Sequence, residues 1–384
     1  MNYFSSDFKL GILGGGQLGK MILYVTRKYD IHTSVLDPSE DAPSKLACNE
    51  FTVGDLLDYD TVVNFGKTVD VLTIEIENVN VDALETLENE GIKVFPSAKT
   101  LRTIQNKAHQ KLFYVDHNIP TADFSRFAHT SEIHDAVENG GLSYPFVWKS
   151  ARFGYDGQGV KVVRRYTDLI DLPNVECIAE DLIPFKNELA VIVARNEKGD
   201  LKTYPVVEME FHPEANQVEY VICPARIPDE ISKKAELIAL KTAAAFKHVG
   251  LLAVEMFQTE DDDIIVNEVA PRPHNSGHYS IEASYTCQFE QHLRCVLGLP
   301  LGNTESKVAG VMVNLVGAEN HTGDVLYENI EDIMAMDGVT PHIYGKKQTR
   351  PFRKMGHVTI VDKDIDKARE VAEKVKRTIK VISK

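Results

Sequence analysis

Two glutamates in the second half of the chain have the spacing of a metal-binding pair. Residues 254–258 and 264–268 are predicted to form the two strands of a hairpin, with the acidic residues 260–263 as its polar turn. If the strands pair symmetrically about that turn, Glu255 lies directly opposite Glu268, and facing like charges destabilise a sheet. A hard divalent cation bound between the two carboxylates would offset the repulsion. The alternative interpretation is an exposed acidic hairpin without a ligand.

The segment that follows the second strand is rich in groups that act on charged substrates. Residues 268–278 include a carboxylate, an arginine and two histidines, namely Glu268, Arg272, His274 and His278. The arginine binds anions, and the carboxylate and the histidines form hydrogen bonds. Their concentration within eleven residues makes this segment the most informative part of the chain.

A glycine-rich turn near the N-terminus has the pattern of a phosphate-binding loop. Residues 14–19 (GGGQLG) match G-x-G-x-x-G between a predicted strand and a predicted helix, and Asp37 ends the next strand. Because a helix N-terminus attracts anions, we expect a phosphate near Gly16, Gln17 and Leu18. The pattern leaves open whether this phosphate belongs to NAD or to a phosphorylated substrate. A tight turn that serves only helix–sheet packing is the alternative.

A second glycine-rich stretch, residues 153–160, connects two predicted strands of the middle region. Its three glycines suggest a mobile flap whose backbone amides fold over phosphates. Lys149, at the end of the preceding strand, would add positive charge to that site. The alternative for the loop alone is a flexible hairpin tip.

Two further stretches are weaker candidates. Residues 180–183 end a predicted strand and, with Glu188, would hold a flat base and a ribose, but an ordinary strand end is the simpler interpretation. The basic residues within 344–347 and 353–357 would clamp a phosphate from two neighbouring strands. A solvated charged face is the alternative for this basic cluster.

The elements that must position these residues divide the chain into regions. In the first hundred residues, short apolar strands alternate with helices, which predicts a parallel sheet with helical crossovers. The strands are expected at 9–13, 33–36, 71–74 and 93–95, and the helices at 17–29 and 81–90. A helix at 98–117 then leads to the middle region.

The middle region is predicted to be an α+β domain around an antiparallel sheet. Besides the acidic hairpin, its strands are expected at 144–149, 160–164, 176–180, 188–194, 203–207 and 218–222, followed by a helix at 228–248. Beyond residue 301, strands at 309–315, 340–344 and 357–361 precede a charged helix at 365–379.

Composition narrows the class of protein. A chain of 384 residues is expected to form two or three domains. A net charge of -15 disfavours nucleic acid and anionic membranes as partners. No apolar run is long enough to cross a membrane, and the first residues lack the pattern of a signal peptide. Five cysteines without a C-x-x-C pair favour a reducing, cytoplasmic location over disulfides or a zinc site.

Together these motifs resemble the ATP-grasp enzymes, in which a glycine-rich flap covers ATP and two carboxylates plus an asparagine on a hairpin hold magnesium. Within that superfamily, nearly the whole chain resembles the 5-(carboxyamino)imidazole ribonucleotide synthases. The matching segments run in the family's order at 14–21, 36–38, 154–157, 267–268, 270–278 and 342–346. The run RPHNSGH at 272–278 is specific, because the related formate-dependent glycinamide ribonucleotide transformylases diverge after a similar Pro-Arg-Pro-His.

The resemblance implies a mixed α/β and α+β fold, the ATP-grasp fold, with three domains. These would be a Rossmann-like parallel-sheet domain at 1–103, a central grasp domain at 104–300 and a small C-terminal domain at 301–384. ATP would lie between the two sheets of the grasp domain. The glycine loop would bind the phosphate side of a ribonucleotide rather than NAD. A homodimer is also implied.

The implied reaction is the ATP-dependent carboxylation of aminoimidazole ribonucleotide in de novo purine biosynthesis. Bicarbonate attacks the γ-phosphate to give carboxyphosphate, which delivers carbon dioxide to the exocyclic amine. The products are 5-(carboxyamino)imidazole ribonucleotide, ADP and phosphate. Phosphoryl transfer of this kind needs positioning and charge neutralisation more than a covalent nucleophile. The implied cofactors are ATP and Mg²⁺.

The resemblance also implies roles for individual residues. Magnesium would be held by Glu255, Asn267 and Glu268. ATP would be bound by Lys107, Lys149, Gly154, Tyr155, Asp156, Gly157, Gln158, Gly159, Val160, Glu180, Asp181, Leu182, Ile183, Glu188, His212, Asn267 and Glu268. The ribonucleotide would be bound by Gly16, Gln17, Leu18, Tyr155, Asp156, Lys346 and Arg353. Arg272 would stabilise carboxyphosphate with His274 beside it, and Asp156 would accept a hydrogen bond from the exocyclic amine.

Two positions depart from the family's pattern, and one choice stays open. Lys107 stands where an arginine is common, which keeps the positive charge and loses the planar fork. Gln158 replaces a commonly basic residue of the flap. Either Glu75 or Glu77 is expected to face the substrate.

Three other functions fit parts of the sequence. Another ATP-grasp ligase, such as a formate-dependent glycinamide ribonucleotide transformylase, would share the metal and flap residues but use a different acceptor. An NAD-dependent dehydrogenase would explain the glycine loop and leave Glu255, Glu268 and the flap unexplained. A catalytically silent nucleotide-binding regulator is expected to lack key residues, whereas every phosphate and metal position is present in the sequence.

Overall fold

The N-terminal region is built on a five-stranded parallel sheet. The computed structural model describes residues 3–152, 159–212 and 217–384. Strand Lys9–Leu13 lies at the centre of the sheet, flanked by His32–Asp37 and Val71–Ile74, with Glu50–Val53 and Lys93–Phe95 at the edges. Every pairing is parallel, which confirms the prediction for the first hundred residues.

Three helices cover this sheet. Gln17–Lys28 and Val81–Asn89 agree with the predicted helices to within a residue. The helix Tyr59–Gly66, capped by the Asp58 side chain, and the edge strand Glu50–Val53 were not predicted. The edge strand is largely exposed, so it carries no buried pattern from which a strand could be inferred.

The connection to the middle region consists of two helices, Ala98–Ile104 and Lys107–Asp116, so the helical stretch predicted at about 98–117 is confirmed, with a break that was not predicted. The break occurs at Asn106, whose side chain accepts hydrogen bonds from the backbone N–H groups of Ala108 and His109. An asparagine that caps a helix favours a new start over continuation. The first residue of the new helix is Lys107.

The middle region contains two antiparallel sheets. The smaller one has four strands in the spatial order Phe124–Phe127, Cys177–Asp181, Phe146–Ser150 and Val160–Val163, beside the short helix Glu132–Glu138. The predicted strands at 144–149, 160–164 and 176–180 are confirmed with small changes at their ends.

The larger sheet has nine strands and continues into the C-terminal region. Its order is Ile264–Ala270, Gly250–Thr259, Phe185–Arg195, Val207–Phe211, Val218–Cys223, Ala309–Val316, Lys354–Asp362 and Val339–Ile343, and the short strand Leu201–Thr203 pairs with Phe185–Arg195. The helix Asp229–Phe246 packs against this sheet around a core that includes Leu189, Val254 and Ala239. The prediction of a strand at 203–207 was wrong. Pro205 has no N–H to donate, and the chain leaves the sheet there.

The remaining elements complete the C-terminal half. Its helices are Ser280–Ala283, Gln288–Val296, Ile330–Met334 and Ile365–Thr378. A three-stranded sheet in this half has the order Gln348–Thr349, Gly323–Glu328 and Lys380–Ser383. Along the described chain, single 3-10 turns occur at Pro43–Leu46, Tyr166–Leu169 and Asn275–Gly277. Within the described ranges, none of the helices combines the length and the apolar character that a membrane crossing requires.

Helix Gln288–Val296 ties the middle region to the N-terminal region. Its residues Phe289 and Leu293 share a buried core with Leu18 and Ile22 of helix Gln17–Lys28. The glycine loop that precedes helix Gln17–Lys28 is therefore held in a fixed position relative to the segment 268–278.

The cap at Asn106 is predicted to hold Lys107 in place. The substitution Asn106→Ala removes two hydrogen bonds to the helix start and should destabilise the protein by roughly 1–2 kcal/mol. Asn106→Ser keeps a capping oxygen and should lose less. Thermal unfolding followed by circular dichroism measures the difference, and equal midpoints for wild type and Asn106→Ala would contradict it.

Candidate active site

The two glutamates of the hairpin face each other, as predicted. Strands Gly250–Thr259 and Ile264–Ala270 pair so that Glu255 lies opposite Glu268, whereas Met256 lies opposite Val266. Asn267 is therefore the extra residue of a β-bulge, which re-aims side chains at a strand's edge. The bulge brings the Asn267 amide to the same side as the two carboxylates.

Two cationic or donor groups compensate this pair of carboxylates. The ammonium group of Lys107 forms an ion pair with Oε2 of Glu268. Nε2 of His274 lies 3.1 Å from Oε1 of Glu255. The charge of Lys107 outweighs burial and lowers the pKa of Glu268 to about 2, so this carboxylate is ionised at neutral pH. The strand backbone brings the like charges together, and neighbouring side chains neutralise them.

A second layer of charges lies behind the pair. Nζ of Lys149 donates to Oδ1 of Asn267 at 2.8 Å and lies 2.8 Å from Oε2 of Glu180. Nζ of Lys111 lies 3.1 Å from the other oxygen of Glu180 and donates to Thr121 at 2.6 Å. Burial raises the pKa of Glu180, but the two lysines outweigh it and the net shift is downward. Burial lowers the pKa of Lys111 to about 8.

Glu188 is the remaining carboxylate of this cluster. Its neighbour Ala190 lies opposite Glu255 in the sheet, so Glu188 shares a face with Glu255 and lies diagonally across from it. Burial, followed by the negative charges of Glu255 and Glu268, raises the pKa of Glu188 to about 8 despite the opposing charge of Lys149. Glu188 is therefore largely protonated at neutral pH.

A cavity of about 830 Å³ lies beside this cluster, between the N-terminal, middle and C-terminal regions. Of the predicted site residues, the cavity is lined by Gly16, Gln17, Leu18, Lys107, Glu255, Glu268, Arg272 and His274. Lys149, Glu180 and Asn267 lie directly behind this lining.

The predicted residues Glu180, Asp181, Leu182, Ile183 and Glu188 lie outside the lining of this cavity. Residues Asp181, Leu182 and Ile183 connect strand Cys177–Asp181 of the small sheet to strand Phe185–Arg195 of the large one. Val160 pairs with Lys149 at the start of the strand that leaves the predicted flap, and Gly159 accepts a hydrogen bond from Ser150. The predicted site residues Gly154, Tyr155, Asp156, Gly157 and Gln158 lie outside the described residues.

The glycine loop already holds a carboxylate. Glu75 accepts hydrogen bonds from the backbone N–H groups of Gly16, Leu18 and Gly19 at 3.0 to 3.2 Å. Asp37 accepts one from Gly15 at 2.6 Å. Burial raises the pKa of the Glu75 carboxyl against the lowering effect of those amide donors. The amides at the helix N-terminus are thus engaged by the chain itself, and a phosphate at Gly16, Gln17 and Leu18 stays a prediction.

Arg272 and His274 point into the cavity from one turn. Nε of Arg272 lies 2.8 Å from Oε2 of Glu77, and both Glu77 and the loop-bound Glu75 line the cavity, so the choice between them stays open. Nδ1 of His274 lies 2.9 Å from the Ser276 hydroxyl and 3.3 Å from the Ser276 backbone nitrogen. A backbone N–H only donates, so Nδ1 is the acceptor and Nε2 carries the proton that points at Glu255.

The basic cluster of the C-terminal region is only partly at the cavity. Lys354 lines it, whereas the Arg353 guanidinium donates to the backbone of Gln348 at 2.6 Å. Nζ of Lys346 donates to the carbonyl oxygen of Lys354 at 2.8 Å. Arg353 precedes the strand Lys354–Asp362, and its contact with Gln348 directs its guanidinium to a different partner from that of Lys354. The sequence identified the cluster but not which member faces the cavity.

His212 lies beside the main cavity rather than in its lining. It lines a separate cavity of about 180 Å³ and packs edge-to-face against Phe352 at 5.9 Å. Its neighbour Phe211 lines the main cavity. The prediction that His212 contacts ATP stays a prediction.

Sequence reasoning missed two residues of this site. Lys111 and Gln288 contact the predicted groups, and neither was a candidate. Lys111 follows Lys107 by one helical turn, and that spacing is a signal that could have been used. Gln288 has no such signal, because its contacts depend on the fold.

Comparison with known proteins shows the family. Three domain models match consecutive parts of the chain: a ribonucleotide synthetase preATP-grasp domain at residues 8–105, an ATP-grasp domain at 112–289 and a phosphoribosylaminoimidazole carboxylase C-terminal domain at 310–371. The N5-carboxyaminoimidazole ribonucleotide synthase of Bacillus subtilis is 37% identical over 362 residues, which is 93% of this chain and 92% of the relative. The chain belongs to the N5-carboxyaminoimidazole ribonucleotide synthase family.

Solved structures of this family agree with the fold. The N5-carboxyaminoimidazole ribonucleotide synthetase of Thermotoga maritima is 41% identical, with a TM-score of 0.90 over 98% of this chain and 100% of that one. The Aspergillus clavatus synthase, solved with ADP and 5-aminoimidazole ribonucleotide, is 33% identical, with a TM-score of 0.88 over 97% of this chain and 98% of that one. The ATP-grasp fold predicted from the sequence is therefore confirmed.

Some relatives of this family are longer. The phosphoribosylaminoimidazole carboxylase of Candida albicans is 37% identical over 372 residues, which is 94% of this chain but 65% of the relative. The chain thus spans somewhat less than two thirds of that protein's length.

Because Glu188 is protonated at neutral pH, we expect the stability of the folded protein to depend on pH. Its pKa of about 8 in the folded protein lies above the unfolded value of 4.5. Ionising this buried carboxyl therefore costs stability as pH rises through about 8. Glu188→Gln mimics the protonated acid, so its gain in thermal midpoint over wild type should be larger at pH 9 than at pH 6.5, without nucleotide or metal.

A control of opposite sign is available in the same chain. Hydrogen bonds from Lys9 and Ser34 lower the pKa of Glu50 to about 2, so Glu50→Gln should lower the midpoint at both pH values. A gain for Glu188→Gln that is equal at pH 6.5 and pH 9 would contradict the assignment.

Proposed function

We propose that this chain catalyses the ATP-dependent carboxylation of 5-aminoimidazole ribonucleotide. The products are N5-carboxyaminoimidazole ribonucleotide, ADP and phosphate, and bicarbonate supplies the carbon. The observation that carries the proposal is the convergence of the facing glutamates, Lys107 and the Arg272–His274 turn on one cavity of about 830 Å³. The ligands of the Aspergillus clavatus relative, ADP and 5-aminoimidazole ribonucleotide, support the same pair of sites here.

ATP is proposed to lie between the two sheets of the middle region. The connection 181–183 would contact the base, and Glu188 would hold the ribose. Lys107 and Lys149 would neutralise the phosphates, and residues 154–160 would cover them. The burial of Lys149 and its ion pair with Glu180 support this role, because a fixed ammonium group binds a phosphate without further ordering.

Magnesium is proposed to be bound by Glu255, Asn267 and Glu268. Their oxygens suit a hard cation, they share one side of the hairpin, and Glu268 is ionised at neutral pH. When bound by these residues, the metal would supply positive charge that neutralises the phosphates during phosphoryl transfer. Lys107 would then exchange its contact with Glu268 for one with a phosphate.

The proposed chemistry balances in two steps. An oxygen of bicarbonate forms a bond to the γ-phosphorus while the bond between the γ-phosphorus and the bridging oxygen of ATP breaks. ADP leaves with the electron pair of the broken bond. Carboxyphosphate then breaks its C–O bond to release phosphate, and the exocyclic nitrogen bonds the carbon and loses one proton. Arg272, with a fixed guanidinium beside Glu77, would bind the carboxyphosphate, and His274 would lie next to it.

The ribonucleotide is proposed to occupy the side of the cavity near residues 16–18. Tyr155 and Asp156 would face it from the flap, and Lys346 and Arg353 would bind its 5′-phosphate. Lys354 lines the same cavity and belongs with this basic group. The engagement of the loop amides by Glu75 favours the lysines over the loop as the main phosphate ligands.

The assembly and organisation of the chain are proposed on the family resemblance. It supports a cytoplasmic homodimer with domains at 1–103, 104–300 and 301–384. The family-model limits at 8–105, 112–289 and 310–371 support that division. Sedimentation analysis tests the dimer: a species near twice 42.9 kDa is expected.

The proposal predicts a specific pattern of ATP hydrolysis. With magnesium, ADP formation should require both 5-aminoimidazole ribonucleotide and bicarbonate, and carbon-13 from labelled bicarbonate should appear in an acid-labile carbamate of the product. Hydrolysis that ignores the ribonucleotide, or that instead depends on formate and glycinamide ribonucleotide, would contradict the substrate assignment.

A matched pair of variants tests the role of the hairpin. Glu268→Gln removes a proposed metal ligand and should lower kcat at least on the order of a hundredfold. Glu290→Gln removes another ion-paired glutamate, which contacts Lys28 and Arg294 away from the cavity, and should leave kcat near the wild-type value. Similar activity of the two variants would contradict the role of Glu268.

A further inference from the structure

Gln288 is buried directly behind the Arg272–His274 turn and makes an unusual set of hydrogen bonds. Its Oε1 accepts from the backbone N–H of His274 at 2.9 Å, and its Nε2 donates to the carbonyl oxygen of the same residue at 2.8 Å. The side chain thus pairs with both backbone groups of His274, as a neighbouring strand would. No solvent reaches Gln288.

The same amide also contacts a second histidine. Nε2 of Gln288 lies 2.8 Å from Nδ1 of His278, a buried residue at the wall of the cavity. The backbone N–H of His274 can only donate and its carbonyl can only accept, so they fix which end of the amide is Oε1. The remaining proton of Nε2 is then directed at Nδ1 of His278, which must be unprotonated.

The surroundings leave Gln288 little freedom to move. Its own backbone N–H donates to Oγ of Ser280 at 2.9 Å, and that hydroxyl donates to the carbonyl oxygen of Gly277 at 2.5 Å. A methyl group added at Gly277 would come within 2.5 Å of Oε1 of Gln288 and 2.3 Å of Ile192. The amide therefore fits a closed space between the turn and the start of helix Gln288–Val296.

We infer that Gln288 is a positioning residue for the reaction: its amide fixes the backbone of His274 and holds His278 as the tautomer protonated at Nε2. Through His274, this amide also aims the Nε2 proton at Glu255 of the proposed metal pair. Burial lowers the pKa of His278 well below its usual value, which keeps the ring neutral and lets the amide decide its tautomer. The inference rests on the proposed function of Arg272 and His274.

The chain contains a matched control for Gln288, whose side chain clamps a backbone N–H and C=O of one residue by two hydrogen bonds. Gln291, on the same helix and equally buried, accepts from the backbone N–H of Gly302 at 2.9 Å and donates to its carbonyl at 3.3 Å. Gly302 lies outside the lining of the main cavity. Loss of either glutamine removes a buried two-point clamp, but only Gln288 holds a residue of the proposed active site.

The kinetic test compares Gln288→Met and Gln288→Glu with Gln291→Met and Gln291→Glu. The Gln288 variants should lower kcat on the order of a hundredfold, the cost of misplacing a reacting group by about 1 Å, with little change in KM for ATP. The Gln291 variants should destabilise the protein similarly and keep kcat near wild type. Gly277→Ala, which crowds the same amide, should reproduce the kcat defect.

A spectroscopic measurement tests the tautomer without relying on activity. In wild-type protein labelled with nitrogen-15 at its 13 histidines, the His278 resonances should show an unprotonated Nδ1 and a protonated Nε2. A His278→Asn variant assigns the signals, and Gln288→Met should shift the Nδ1 resonance while Gln291→Met leaves it in place.

The outcomes separate this inference from the proposed function. A His278 ring protonated at Nδ1 in wild type, or equal kcat losses in the two sets of glutamine variants, would overturn the role of Gln288 alone. A wild-type protein that forms no ADP with 5-aminoimidazole ribonucleotide and bicarbonate would overturn the proposed function, and the nitrogen-15 spectrum would still decide the tautomer.

Discussion

The site depends on one electrostatic constraint, the placement of Glu255 opposite Glu268 in an antiparallel hairpin. Backbone pairing forces the two carboxylates together, so the surrounding structure must supply positive charge or hydrogen-bond donors. Lys107 meets that need at Glu268 and His274 meets it at Glu255. Each of these groups reaches the pair from a different element.

The supporting elements are themselves fixed by specific polar contacts. Lys107 begins a helix because Asn106 caps it, and its backbone N–H donates to the carbonyl oxygen of Ala151 beside the predicted flap. His274 is held by Gln288, whose helix packs on the helix that follows the glycine loop. Lys149 links the Asn267 bulge to Glu180 of the small sheet. The three regions of the chain thus meet at one cluster of charges.

The sequence predicted most of the elements, though not helix Tyr59–Gly66 or strand Glu50–Val53, and it predicted the facing glutamates, because these depend on local periodicity and on strand symmetry. It did not predict the bulge at Asn267, since the extra residue shows only when two strands are paired. The glycine loop matched a phosphate-binding pattern, yet its amides bind Glu75, a residue 56 positions away from Gly19. Gln288 was missed for the same reason, because tertiary contacts give it its role, whereas Lys111 had a local signal in its spacing from Lys107. Patterns within one segment could be predicted from the sequence, whereas side-chain contacts between distant segments could not.

A crystal structure with Mn²⁺ and ADP, using the anomalous signal of manganese, would show directly whether the facing glutamates bind a metal. We expect an anomalous peak within coordination distance of oxygens from both Glu255 and Glu268, with Nζ of Lys107 withdrawn from Glu268 towards the phosphates. A peak on the nucleotide alone, with Lys107 still paired to Glu268, would show that the hairpin does not bind the metal.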